Sequence, residues 1–92
     1  MAVTVKLPTQ LRDAAGGATA AQVEGTTVGE ALQALYARHT ELRSRMADEN
    51  GTLRRFVNVY VKGEDIRFLD GLDTPVEDGD EVTILPAVAG GR

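Results

Sequence analysis

One stretch of sustained helical periodicity, set between segments that alternate every second residue, does most to limit what this chain can fold into. Thr27-Val28-Gly29-Glu30 has the form of a capping box, in which the Thr27 hydroxyl meets an orphan N–H and Glu30 reaches back. Val28, Ala31, Leu32, Leu35 and, at the end, His39 then share one face, with Glu30, Gln33 and Arg38 on the other side. Glu41 to Ala47 adds a further helical turn, and Asp48-Glu49-Asn50-Gly51 reads as a turn.

On either side of this helix the period drops to two. Val3, Val5 and Leu7 alternate with Thr4 and Lys6 up to Pro8, which lacks a backbone donor and ends the strand. TQLRDAAGGAT then reads as a loop, and Ala20 to Glu24 as a second short strand. Phe56 to Val61, FVNVYV, is the strongest strand signal, with Val57, Val59 and Val61 on one face. Lys62 to Asp65 predicts a turn into a short strand over Ile66 to Leu69. Asp78-Gly79-Asp80 is a tight turn before a last strand over Glu81 to Pro86, which places Val82 and Ile84 on one face. A single amphipathic helix must cover one face of a mixed sheet, so the expected class is α+β in two layers.

Ninety-two residues make one domain. The net charge of −4, with Lys and Arg scattered along the chain, argues against nucleic acid, whose phosphates demand a basic face. It argues equally against an anionic membrane surface. The absence of cysteine removes disulfides, thiolate metal sites and a cysteine nucleophile together. No signal-peptide pattern or membrane-spanning apolar run is visible, so a cytoplasmic location is expected.

Little in the chain suggests catalysis of its own. His39 is the one histidine, and no serine sits in a G-x-S-x-G elbow. Gly16-Gly17 is not followed by Lys-Ser or Lys-Thr, as a phosphate loop requires. The acidic groups Asp48-Glu49 and Asp78-Gly79-Asp80-Glu81 lack the ligand spacing of a calcium loop, and turn chemistry accounts for both. No metal site is expected. Arg54-Arg55 can grip a partner's carboxylate or simply mark a solvated strand end, with the second reading the more ordinary.

That leaves the C-terminal run PAVAGGR. Glycines have no side chain to obstruct a narrow channel and take unusual backbone angles. Fully extended, the four residues Val88, Ala89, Gly90 and Gly91 reach about 13–14 Å, at about 3.3–3.6 Å per residue. Such a segment can enter a cleft while the folded body stays outside.

The pattern DGDEVTILPAVAGG at Asp78 to Gly91 resembles the end of the ubiquitin-like sulfur carriers of the MoaD/ThiS group. The order of elements fits their β-grasp fold over essentially the whole chain. RFVNVYVKGEDIRF at Arg55 to Phe68, Gly71-Leu72, and VTILPAVAGG at Val82 to Gly91 resemble most the actinobacterial branch that serves cysteine biosynthesis.

The resemblance implies a β-grasp domain over 1–87 and a C-terminal tail over 88–92. It implies a carrier with no cofactor of its own. An adenylating enzyme related to ubiquitin-activating enzymes would use ATP to activate the Gly91 carboxylate, and a sulfur donor would convert it to a thiocarboxylate. A pyridoxal-phosphate cysteine synthase or a related thiolating biosynthetic enzyme would then consume the sulfur, and a JAMM-type metalloprotease would trim the tail. A peptide bond to Arg92 blocks Gly91, so carrying requires that Arg92 be removed first; Arg92 is a native extension trimmed by a protease or a remnant of cloning, both ranked above a loss of carrier chemistry. Phe56, Tyr60, Phe68 and Leu85 are the candidate docking patch on the exposed sheet face, with burial the competing reading for each. The alternatives are a small subunit of molybdopterin synthase and a ubiquitin-like modifier joined to lysines through Gly91.

Overall fold

A computed structural model describes residues 2–55 and 57–86. Phe56 and the predicted tail over 88–92 lie outside the described residues. In chain order the elements are β1 (Ala2–Lys6), α1 (Thr9–Arg12), β2 (Ala20–Glu24), α2 (Val28–Arg38), α3 (Thr40–Met46), β3 (Val57–Val61), β4 (Glu64–Asp65) and β5 (Glu81–Pro86). Short 3-10 turns cover Asp13–Ala15, Ile66–Phe68 and Gly71–Asp73.

The five strands form one sheet in the order β2-β1-β5-β3-β4. The central pair β1 and β5 runs parallel, with Val5 opposite Val82. The flanking pairs are antiparallel, Val3 facing Val23 and Val59 facing Ile84. The sheet is therefore mixed, as the alternating segments predicted.

Alternation in the sequence becomes sidedness in the sheet. Val3, Val5, Val57, Val59, Val61, Val82 and Ile84 are all buried on one face. Val28, Ala31, Leu32 and Leu35 of α2 close over them, joined by Leu42 and Met46 of α3. The capping box holds α2 in place: Glu30 N–H donates to Thr27 Oγ1 at 3.1 Å. The Glu30 carboxylate accepts from the Thr26 N–H and hydroxyl, each at 2.8 Å, one residue before the cap itself.

Two expectations require correction. TQLRDAAGGAT is a helical turn rather than a plain loop, because Leu11, Ala14 and Ala15 recur at helical spacing and bury themselves. Ile66 to Leu69 is not a strand. After two paired residues, Asp65 accepts from Arg67 N–H and winds the chain into a 3-10 turn that buries Ile66. No helix among the described residues is long and apolar enough to cross a membrane.

Candidate functional site: the outer sheet face and the end of β5

The face of the sheet opposite the helices carries the residues that β3 and β5 do not spend on the core. On β3 these are Asn58 and Tyr60, both half-buried; on β5 they are Glu81, Thr83 and Leu85. Leu85 lies opposite Asn58, and Thr83 opposite Tyr60, so Tyr60 and Leu85 are diagonal neighbours on this face. Leu85 is 46% exposed and Phe68, on the turn after β4, is 86% exposed. Burial is thus rejected for Phe68 and Leu85 and is partial for Tyr60; Phe56 lies outside the described residues.

One polar cluster organises this face, and the sequence reading did not single it out. Asp65 pairs with Tyr60 at the sheet edge and is almost fully buried. Arg67 clasps it with Nη2 at 2.7 Å from Oδ2 and Nε at 3.1 Å from Oδ1, while the Arg67 N–H donates to Oδ1 at 2.8 Å. The same Nη2 donates to Asn58 Oδ1, which ties the turn bearing Phe68 to the strand beside Leu85. Arg67's side-chain and backbone hydrogen bonds hold the Asp65 carboxyl below the usual carboxylate range. The signal was present in the sequence: an Asp two residues before an Arg, at a strand end, can cap its own turn.

β5 outruns β1. Pairing with β1 ends at Lys6–Thr83, whereas pairing with β3 continues to Val57–Pro86. β5 therefore ends at Pro86, beside the start of β3, and three concavities lie around Val57, Ile84 and Leu85 there. The largest, about 500 Å³, is lined by Leu11, Arg45, Arg54, Val57 and Ile84. A second, of about 310 Å³, brings Arg12 close to Leu85, and a third, of about 320 Å³, places Arg54, Arg55 and Arg67 around Val57 and Val59. Among the described residues no group of three His, Cys, Asp or Glu side chains is placed to hold a metal ion.

A mixed five-stranded sheet that grips its main helix on one face, with its last strand, β5, paired parallel to β1 at the centre, defines a ubiquitin-like β-grasp protein. Residues 5–91 match the ThiS family, and the chain belongs to it. It is 48% identical to the sulfur carrier protein CysO of Mycobacterium tuberculosis, over 99% of this chain and all of that one. It superimposes with a TM-score of 0.88 on a structure of the BexX/CysO complex from Amycolatopsis orientalis, at 48% identity, covering 97% of this chain and 99% of that one. It is also 38% identical to small archaeal modifier protein 1 of Haloferax volcanii, over 94% of this chain and 97% of that one. Proteins of this family are small carriers rather than catalysts, which agrees with the dearth of catalytic groups noted in the sequence.

Proposed function

We propose that this chain is a sulfur carrier of the CysO kind, with Gly91 as the carrying residue once Arg92 has been removed. The observation that carries this reading is the family match, which runs unbroken through the body to Gly91. The topology supports it, because β5 stays paired with β3 as far as Pro86, five residues before Gly91.

A carboxylate is a poor electrophile, so sulfur cannot displace its oxygen directly. An oxygen of the Gly91 carboxylate attacks the α-phosphorus of ATP on an adenylating enzyme, and pyrophosphate leaves. Hydrosulfide from a sulfur donor then attacks the Gly91 carbonyl carbon, the bond to AMP breaks and AMP leaves, and loss of the S–H proton gives a thiocarboxylate. This soft, anionic nucleophile supplies sulfur to an accepting enzyme, such as a pyridoxal-phosphate cysteine synthase, without release of free sulfide. The carrier's part is to be gripped by its body and to present a narrow terminus. Leu85, Phe68 and Tyr60 offer the grip, and Gly90-Gly91 the terminus.

Arg92 holds Gly91 in a peptide bond and leaves it no carboxylate of its own. A metalloprotease cut between Gly91 and Arg92 supplies that carboxylate. The test is intact-protein mass spectrometry of the 1–91 and 1–92 forms, each with an adenylating enzyme of a CysO-type system, ATP and a sulfur donor. Only the 1–91 form is expected to exchange one oxygen for sulfur. A 1–91 form that never changes mass rules out the carrier reading, and charging of uncut 1–92 rules out the role given to Arg92.

The relationship to small archaeal modifier protein 1 favours one second reading, in which Gly91 is joined to lysines of other proteins. Gly-Gly remnants on lysines in digests of cell extract would distinguish it from a carrier, which leaves none.

A further inference from the structure

Arginines gather at one end of the acidic chain's sheet, the end where β5 stops at Pro86. Arg12 and Arg54, far apart in sequence, line concavities that reach Ile84 of β5, and Arg55, next to Arg54, lines one that reaches Val57, the strand partner of Pro86. Among the described residues none of the three has a carboxylate partner. Arg12 Nε donates only to Leu7 O at 3.1 Å and Arg54 Nε only to Ser44 O at 3.2 Å. Arg45, in the same region, is already neutralised by Asp13 at 3.2 Å and Glu41 at 2.9 Å. Asp48 and Glu49 share a groove with the far side of Arg54 without pairing to it.

The opposite end of the sheet carries more carboxylates than cations, with Lys62 facing Asp80 at 3.9 Å and Lys6 facing Glu81 at 3.8 Å. Asp78 Oδ1 accepts from Ala2 N–H at the start of β1, and Thr4 N–H donates to Asp80 O. Glu24 and Glu64 flank the same end, opposite Ala2 and Val61. A five-residue strand at about 3.3 Å per residue separates the two ends by about 16 Å, roughly two Debye lengths at physiological salt. A partner therefore meets them as distinct patches.

The geometry points to an electrostatic docking collar: Arg12, Arg54 and Arg55 engage carboxylates on a protein surface that rims the cleft receiving the C-terminus. This rests on the carrier reading. Charge complementarity argues for that occupant. The C-terminus is tethered to Pro86, which lies at this end, and an acidic rim would attract the collar while repelling the Asp78–Glu81 end. A nucleic acid fits poorly, because its continuous charge would need a longer basic track on a chain of net charge −4. Collar contacts at a rim act mainly on association, so they govern KM and its salt dependence rather than the chemical step.

Two measurements test the collar. In the first, the 1–91 form and its Arg12→Gln, Arg54→Gln, Arg55→Gln triple variant are charged by an adenylating enzyme of a CysO-type system. The triple variant is expected to raise KM about tenfold at low salt with kcat unchanged, and to lose that defect in high salt. A KM equal to that of the parent overturns the collar while leaving the carrier reading intact. Arg55→Glu alone, at an exposed residue with no hydrogen bond or ion pair among the described residues, is expected to move KM the same way and guards against misfolding of the triple variant. If the 1–91 form does not charge at all, the carrier reading fails and the second measurement decides the collar. Amide and arginine Nε resonances are followed while hexaglutamate or a dT oligonucleotide is added. Salt-sensitive shifts at Arg12, Arg54 and Arg55 with hexaglutamate support the collar; no shifts, or tighter binding of the oligonucleotide, overturn it.

Discussion

Asp65 shows how a buried charge is tolerated in a small sheet. Its carboxylate is almost sealed from water, and Arg67 returns by backbone and side chain the hydrogen bonds that burial removed. The folded-state pKa is depressed, so the stabilisation is present above the ordinary value of 3.8 and is lost as pH falls through the lower folded value. Asp65→Asn is expected to lower stability at neutral pH by about 1 kcal/mol, the usual scale of a lost cap. It should also flatten the acid end of a urea-denaturation series; a variant with the parent's full acid sensitivity would show that the clasp is not the cause. Gly25 constrains the fold by close approach rather than by backbone angle. A Cβ there would lie 2.7 Å from Ala31 N, which is fixed in α2 and has no room to yield. Gly25→Ala should therefore cost about 1–3 kcal/mol in a thermal or urea melt, as overpacking does.

The elements divide according to how local their causes are. β2 and β5 fall on the residues their alternation picked out, and α2 begins at the Thr27 cap, because these signals lie within a few neighbouring residues. Thr27→Ala removes one half of the capping box and is expected to cost about 1 kcal/mol, read as a lower denaturation midpoint at unchanged slope. α1 was obscured by Gly16-Gly17, which drew the whole segment toward a loop reading although Leu11, Ala14 and Ala15 mark a helical face. The strand expected over Ile66 to Leu69 failed for a different reason. Two apolar ends suggested alternation, but Asp65 caps the backbone and turns Ile66 into the core. The candidate site divides in the same way. The outward side of Leu85 follows from the inward side of Ile84, so it was legible. Arg12 and Arg54–Arg55 are brought to one end of the sheet only through the pairing of β5 with both β1 and β3, and no window of sequence contains that.

At the scale of the whole molecule, the two layers meet around side chains that cannot change charge without parting them. Tyr36 on α2 is the clearest case, buried beneath Leu53 and Leu72. Burial pushes its phenol up from 10.0 to about 12, against a weaker opposing pull from the positive charge of Arg43. The neutral phenol is the form the fold favours, so its contribution is fully present below 10.0 and is lost as pH rises toward about 12. The chain is already at −4 near neutrality, and a tyrosinate would add negative charge inside the interface between helices and loops. Alkaline unfolding should therefore be cooperative, with the absorbance of the ionising phenol rising together with the loss of helix. Tyr36→Phe keeps the ring and removes the ionisation. Compared with the parent by urea denaturation from pH 7 to pH 11, it should lose less stability above pH 10, while Tyr60→Phe, on the outer face, should follow the parent. An alkaline loss in Tyr36→Phe as steep as the parent's would place the titrating group elsewhere and leave Tyr36 a packing residue only.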